Sequence, residues 1–319
     1  MKKTEFYFDS RDGESRIHAL RYEPEEGTLE NGRPVAVLQI VHGMAEYFER
    51  YEETAEFFVD RGFVVTGEDH LGHGKSVAEG GVYGYFCKQD PATVVVRDVH
   101  RLKKMTQALY PGTPYFLLGH SMGSFIVRNY LCRYGTGIQG AVIVGTGMPS
   151  AGLVYSAKTV ACLQKLFVGG KHVDKLVDRL AFGSYNERVE NPRTKNDWIS
   201  QNAENVDRYN ADSLCGFVFT VNGFQTLFEL IARIRKKQNL QKVPKALPLF
   251  FVAGTQDPVG DYGEGVKRAC ASLEAVGLEQ LALRLYEGDR HEILNETDAE
   301  KVRQDIYDWL KPLCSGEVT

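Results

Sequence analysis

The feature that most constrains this chain is a set of short, almost unbroken apolar runs. They are Pro34-Val35-Ala36-Val37-Leu38-Gln39-Ile40-Val41, Phe63-Val64-Val65-Thr66, Tyr115-Phe116-Leu117-Leu118, Ala141-Val142-Ile143-Val144 and Leu249-Phe250-Phe251-Val252. A strand with one wet face alternates apolar and polar residues, whereas a strand covered on both faces does not need to. Between the runs lie stretches of helical character. One passes through Tyr51, Ala55, Phe58 and Val59; the next runs from Val94 to Leu109 and is stopped by Pro111-Gly112; a third, Ser124 to Tyr134, ends at Gly135. Strand and helix in alternation predict a doubly wound α/β fold, with a mostly parallel central sheet flanked by helices.

Two segments depart from this pattern. Glu5 to Tyr22 alternates apolar and polar residues around Asp12-Gly13, which predicts an antiparallel hairpin. From Ser150 to Leu240 no buried strand is evident. The apolar residues there, such as Leu163, Leu166 and Phe167, or Val173, Leu176, Val177 and Leu180, have helical spacing. The strand–helix order resumes at Leu249, with a helix near Val266 to Val276, a strand at Leu281-Leu283-Leu285 and a helix from Ala299 to Leu310. The expected organisation is one core, residues 1–149 and 241–319, interrupted before its last strands by a helical insertion, residues 150–240.

Composition removes several classes of function. The chain has 319 residues, 43% hydrophobic and 25% charged, with a formal net charge of −4. That is the balance of a globular protein, without long disorder or coiled coil and without a basic face for nucleic acid. The one dense basic run, Arg233, Arg235, Lys236 and Lys237, reads as a solvated helix end. No stretch reaches the roughly 18 apolar residues of a membrane span. The opening Met1-Lys2-Lys3-Thr4-Glu5-Phe6 has the charge of a secretory signal but no apolar centre behind it. Cys87, Cys132, Cys162, Cys215, Cys270 and Cys314 are scattered, with no C-x-x-C pair. They read as reduced, mostly buried thiols of a cytoplasmic protein.

The chemistry centres on Gly119-His120-Ser121-Met122-Gly123, a G-x-S-x-G between the strand Tyr115–Leu118 and the helix beginning near Ser124. That setting is what a nucleophile elbow requires. A serine hydroxyl needs a base, and the base needs an orienting acid, in the chain order Ser, Asp or Glu, His. Only His172 and His291 follow Ser121, and His172 lies inside the insertion, so His291 is the expected base. The acid belongs at the end of the preceding strand, where Asp257 stands; Asp261 and Asp289 are its rivals. The oxyanion donors are expected from the N–H of Met122, after the nucleophile, and of Met44, in the loop His42-Gly43-Met44-Ala45-Glu46 after an early strand. His42 reads as a brace for that loop. Asp69, His70 and His73, in Asp69-His70-Leu71-Gly72-His73-Gly74-Lys75-Ser76, read as a hydrogen-bonded support; neither metal nor cofactor is expected.

These motifs, in this order, resemble the monoacylglycerol lipase and lysophospholipase branch of the α/β-hydrolases, in the serine-aminopeptidase-like group. The likeness rests on His42-Gly43-Met44-Ala45-Glu46, the Asp69–Ser76 segment, Gly119–Gly123, Gly254-Thr255-Gln256-Asp257 and His291. It implies an α/β-hydrolase fold, a helical cap over the site, hydrolysis of a lipid-like ester through an acyl-enzyme on Ser121, and Met44 and Met122 as oxyanion donors. Within the cap, Phe217, Phe219 and Phe224 lie in the densest aromatic stretch and are the candidate substrate wall. Transient contact with a membrane surface through the cap goes with such a substrate. Two other readings stay open here. An aminopeptidase or acyltransferase could use the same triad, and the cap offers Glu187, Glu190, Glu204 and Asp207 to a free amine. A non-catalytic ligand-binding protein could retain the same fold.

Overall fold

The computed structural model describes residues 1–314 apart from 26, 28, 30 and 31. Its strands are β1 (Lys2–Asp9), β2 (Arg16–Glu23), β3 (Ala36–Val41), β4 (Phe63–Glu68), β5 (Tyr115–His120), β6 (Gly140–Val144), β7 (Leu249–Gly254) and β8 (Leu281–Tyr286). They form one sheet in the order β1-β2-β4-β3-β5-β6-β7-β8. The pairings from β4 to β8 are parallel, and β1 and β2 are antiparallel additions at one edge. The hairpin falls where expected. The Asp12 carboxylate closes its turn by accepting the N–H groups of Glu14 and Ser15 at 2.9 and 2.8 Å.

Every residue of β3 to β7 is buried. One face, with Val37, Val64, Leu117, Ile143 and Phe251, packs against α2 (Pro91–Leu109), α3 (Met122–Tyr134) and α9 (Glu264–Glu274). The other, with Leu38, Val65, Leu118, Val142 and Val252, packs against α1 (Glu52–Val59) and α10 (Ala299–Cys314). The continuous apolar runs follow from this: neither set of side chains meets water. Helix α2 starts at Pro91, three residues before the periodic stretch, because proline at the first turn forfeits no helical hydrogen bond.

Between β6 and β7 the chain forms α4 (Ala151–Val168), α5 (Lys175–Phe182), α6 (Ala203–Ala211), α7 (Val221–Ile234) and the short α8 (Lys237–Leu240). Ser150, Asp174, Asn202 and Thr220 cap the first four with their side chains. The helix α7 does not stand apart from the core. Its Phe224, Leu227, Leu230, Ile231 and Ile234 belong to the same buried cluster as the sheet face. Arg233 at its end is paired rather than merely solvated, with Glu229 and Asp90 both at 2.8 Å. The thiols are all free, but only Cys87 is buried, and Cys162 is exposed.

Strand β3 pairs with β4 on one side and β5 on the other, so the sheet order reverses there. The carboxyl ends of β3 and β5 open a crevice at such a reversal, and ligands of open α/β sheets bind in it. Met44 and Ser121 follow those two ends.

Candidate active site

Ser121 turns the chain from β5 into α3 with φ 54° and ψ −120°, a costly region for a residue with a Cβ. Hydrogen bonds hold it there. Its N–H donates to Val144 O at 3.0 Å, and its own carbonyl accepts from Ser124 N–H at 2.9 Å. Position 123 has no room for a side chain, since a Cβ would lie 1.9 Å from Val41 O. The second glycine of the motif is thus dictated by contact with β3.

Asp257 and His291 arrive from the loops after β7 and β8. Asp257 Oδ1 lies 3.0 Å from His291 Nδ1 and accepts Val259 N–H at 2.9 Å. The loops are joined by Gln256 N–H on Asp289 O and Thr255 N–H on Tyr286 O, both at 2.9 Å. With Nδ1 committed to Asp257, Nε2 is the ring nitrogen left to exchange protons. Neither rival acid is hydrogen-bonded to the His291 ring, whose Nδ1 faces Asp257. Asp261 pairs with Arg268 at the surface. Burial, with neighbouring Asp298 and Glu296, pushes the Asp289 carboxyl up to about 7. His172 does not line the cavity described below.

The loop after β3 packs directly on Ser121. A Cβ at Gly43 would lie 3.1 Å from Ser121 Cβ. Gly43 N–H donates to Glu46 Oε1 at 2.6 Å, and the Ala45 carbonyl, on a residue with φ 54°, accepts Tyr209 O–H at 3.1 Å. His42 is a prop here. Its Nε2 accepts His70 N–H at 3.0 Å, and its Nδ1 lies 2.8 Å from Gly43 O. Asp69 accepts the N–H groups of Phe48 and Lys75, both at 2.9 Å, and its Oδ2 lies 2.8 Å from His18 Nδ1. Burial pulls the imidazoles of His70 and His73 down to about 4 and about 3, which leaves them neutral supports at pH 7. Among the described residues no group of three or more His, Cys, Asp or Glu could hold a metal ion.

A cavity of about 690 Å³ opens above these groups, lined by Met44, Ser121, Met122 and His291 together. It has two characters. Val154, Ala157 and Val160 of α4 and Leu227, Phe228 and Ile231 of α7 form an apolar wall, while Glu46, His120, Tyr209 and Glu292 supply polar groups. Of the three phenylalanines expected in the wall, Phe217 lines the cavity; Phe219 and Phe224 do not. Both are fully buried in the core cluster. The segment leading into α7 is docked on the loop before α2, with Thr220 Oγ1 donating to Gly84 O at 2.7 Å and Asn222 Nδ2 to Cys87 O at 2.9 Å. This turns Phe219 onto Phe86 and His73, with Phe224 packed behind it. Phe228, one of the apolar residues of the insertion, does line the cavity, and so does Trp198, which the sequence does not single out and whose ring centroid lies 5.1 Å from that of His291. A lone tryptophan in the polar stretch Thr194-Lys195-Asn196-Asp197 was the only available signal.

Comparison with known proteins agrees with this geometry. Residues 32–298 match the family model described as serine aminopeptidase, S33. The chain is 29% identical over 267 residues to the monoglyceride lipase of Homo sapiens, spanning 83% of this chain and 78% of that one. It is 28% identical over 279 residues to the monoacylglycerol lipase of Mycolicibacterium smegmatis, spanning 87% and 88%. Among solved structures it is similar to a highly thermostable carboxyl esterase from Bacillus coagulans in complex with glycerol: 32% identity, 98% of this chain and 99% of that one, TM-score 0.88. With Ser121 after β5, Asp257 after β7 and His291 after β8, the chain has the α/β-hydrolase fold and belongs to the serine aminopeptidase S33 family.

Proposed function

We propose that this chain is a carboxylic-ester hydrolase acting on single-chain lipid esters of the monoacylglycerol type, through an acyl-enzyme on Ser121. The observation that carries this reading is the cavity of two characters over Ser121. Its apolar wall suits an acyl chain, and Ser121 and His291 open into the same cavity, where the ester would lie. The monoglyceride lipase relatives support the same substrate class.

In the proposed reaction, Ser121 Oγ attacks the ester carbonyl while His291 Nε2 takes its proton. Asp257 fixes the tautomer and orientation of His291 from Nδ1. The N–H groups of Met44 and Met122 hold the developing oxyanion. His291 then returns the proton to the leaving alcohol, and water, activated the same way, releases the fatty acid. No acid expected to hold a free amine supports an aminopeptidase: Glu187, Glu190, Glu204 and Asp207 are exposed and none lines the cavity. Of the carboxylates that line the cavity, Glu46 and Glu292 are paired with Arg50, and burial raises the pKa of Asp178, which favours its neutral form.

The cap carries the second part of the proposal. Leu163, Leu166 and Phe167 of α4 and Leu176 and Leu180 of α5 are exposed, Phe167 to 85%. Such a patch beside an apolar cavity suits reversible contact with a membrane surface. Among the described residues no helix is long and apolar enough to cross a membrane. Free thiols suit a cytoplasmic setting.

The test is a substrate panel of p-nitrophenyl esters, monoacylglycerols, lysophospholipids and aminoacyl amides, with fluorophosphonate labelling mapped to Ser121. Fastest turnover on a monoacylglycerol is expected. Labelling with turnover of aminoacyl amides alone would replace the substrate class, and absence of labelling would remove the enzymatic reading.

A further inference from the structure

A buried charge cluster lies beneath the loop after β3 and joins three segments that meet at Ser121. Arg50 donates from Nη1 to Glu46 Oε2 at 2.6 Å, and from Nη1 and Nη2 to the two oxygens of Glu292 at 2.9 and 2.7 Å. Glu46 Oε1 accepts Gly43 N–H at 2.6 Å and Tyr51 O–H at 2.7 Å. Tyr51 Oη also lies 2.8 Å from His120 Nδ1, and His120 Nε2 lies 3.2 Å from the carbonyl oxygen of His291.

The protons in this cluster can be counted. A carbonyl oxygen only accepts, so His120 Nε2 carries a proton. Tyr51 has one hydroxyl proton but two short contacts. If that proton goes to Glu46, then His120 Nδ1 must supply the proton for the other contact. If it goes to His120, then Glu46 must be a neutral acid that donates to Tyr51. Glu46 already accepts from Arg50 and from Gly43 N–H, both of which favour the carboxylate. Burial works against its ionisation, but the contact with His120 and the charge of Arg50 outweigh it and hold the carboxyl well below the usual range. The second proton therefore belongs on Nδ1. Charge balance agrees, because two carboxylates face one guanidinium and the cluster is neutral only with a second cation.

We propose that His120, the residue before the nucleophile, is an imidazolium in the resting protein and clasps the Gly43–Glu46 loop to the His291 loop across Ser121. It is a positioning residue. Through Tyr51 and Glu46 it sets the loop that presents Met44 N–H, and through Nε2 it holds the backbone of His291. The groups facing it are Glu46, Tyr51 and, beyond them, Arg50 and Glu292, with the His291 ring at 4.8 Å between centroids. Burial disfavours this cation, but Glu46, Glu292 and the His291 carbonyl more than offset that and raise its pKa. The positioning role rests on the assignment of Ser121 and His291 above; the protonation state does not.

The experiment is a long-range proton–nitrogen NMR spectrum of histidine-labelled protein at pH 8, well above the ordinary histidine range near ~6.5. His120 is assigned by the signals lost in His120→Gln. Both of its ring nitrogens should have the protonated shift, and Glu46→Gln should deprotonate one of them at the same pH. Tyr51→Phe should keep both protonated, since Nδ1 also lies 3.3 Å from Glu46 Oε1 and keeps that partner. With p-nitrophenyl acetate, His120→Gln should lower kcat roughly 10²-fold with little change in KM, as displaced catalytic loops do. One unprotonated ring nitrogen on His120 in the unmodified protein at pH 8 would overturn the proposal, whether or not any variant folds. Fluorophosphonate labelling of Ser121, run in parallel, tests the hydrolase reading separately.

Discussion

If the wall built by α4 and α7 holds an acyl chain, rate should follow chain length, and one substitution in the wall should cut the dependence short. Each methylene moved from water into the cavity contributes up to about 0.8 kcal/mol, roughly fourfold in kcat/KM. Six methylenes separate butyrate from decanoate, so complete burial would give about 5 kcal/mol. Ordering the chain takes part of that back, and half the ideal value leaves a gain of roughly 60-fold. Ala157 lines the cavity from α4 and packs against the core cluster. A phenyl group there would occupy space that the distal methylenes need. Overpacking of about 1–3 kcal/mol should lower decanoate turnover by roughly 5- to 150-fold. Acetate, which does not extend along the wall, should be hydrolysed almost as before. The assay is kcat/KM for p-nitrophenyl esters from acetate to laurate, for the native chain and Ala157→Phe, with the melting temperature as a control on folding. A flat native profile would refute the acyl-wall assignment, and so would an equal loss on acetate and decanoate in the variant.

Ser121→Ala and His291→Ala should each lower kcat by roughly 10⁴- to 10⁶-fold, and the double variant should be little worse; near-additive losses in the same assay would show that the pair is misassigned. Asp257→Asn should leave the melting temperature nearly unchanged yet lower kcat by roughly 10⁴-fold, with Asp289→Asn mild; the reverse order would move the acid. Burial, then the charge of Glu68, pushes the Asp98 carboxyl up to about 7 from 3.8. The native state therefore keeps a proton that the unfolded chain loses, and stability present in acid is lost as pH rises from about 4 to about 7, by up to ~4 kcal/mol. Asp98→Asn should raise the melting temperature at pH 8 and hardly at pH 4.5, and an equal change at both would contradict this. Leu166→Glu with Phe167→Glu should reduce co-sedimentation with phosphatidylcholine vesicles while p-nitrophenyl acetate turnover stays the same; undiminished binding would place the membrane contact elsewhere.

The parts of the molecule that could be read in the sequence are those in which one constraint acts on every residue of a segment. Burial on both faces leaves no exposed position in β4 or β5, so both strands were visible as largely apolar runs. Chain order and the elbow motif likewise pointed to Ser121 and His291, which line one cavity, and the strand before the last one to Asp257, which lies 3.0 Å from His291. The wall of the cavity could not be read this way. The helix α7 is covered by α4 on one side and by α2 and α3 on another, so apolar residues occur around most of its surface. Nothing in that pattern separates Phe224, which faces the core, from Phe228, which faces the cavity. The cluster of Glu46, Arg50, His120 and Glu292 was hidden for another reason. Glu46 and Arg50 are four residues apart, but His120 and Glu292 are distant in sequence and join them only because β3, β5 and β8 end on the same side of one sheet.

That convergence also changes what the insertion between β6 and β7 is. Part of it is built into the seat of His291. Glu296, just beyond His291, accepts the N–H groups of Arg290 and Gln201 and the hydroxyl of Ser200. Arg290 donates back to the carbonyls of Asp197 and Ser200 at 2.7 and 3.0 Å. Glu292 N–H donates to Ile199 O at 2.7 Å, and Asn205 on α6 donates to Glu292 Oε2 at 2.8 Å. Residues 197–205 are thus hydrogen-bonded to both flanks of His291, with Trp198 against its ring. The exposed leucines and Phe167, by contrast, all lie on α4 and α5. The insertion therefore combines two mechanical roles. One end shares buried polar bonds with the catalytic loop and is as fixed as that loop, because an unpaired buried group would be left wherever it moved. The other end presents apolar side chains of α4 and α5 to water and is tied instead to α7 and the segment before it, through Lys158 on Glu229 and the Asp174 N–H on Phe219 O at 2.9 Å.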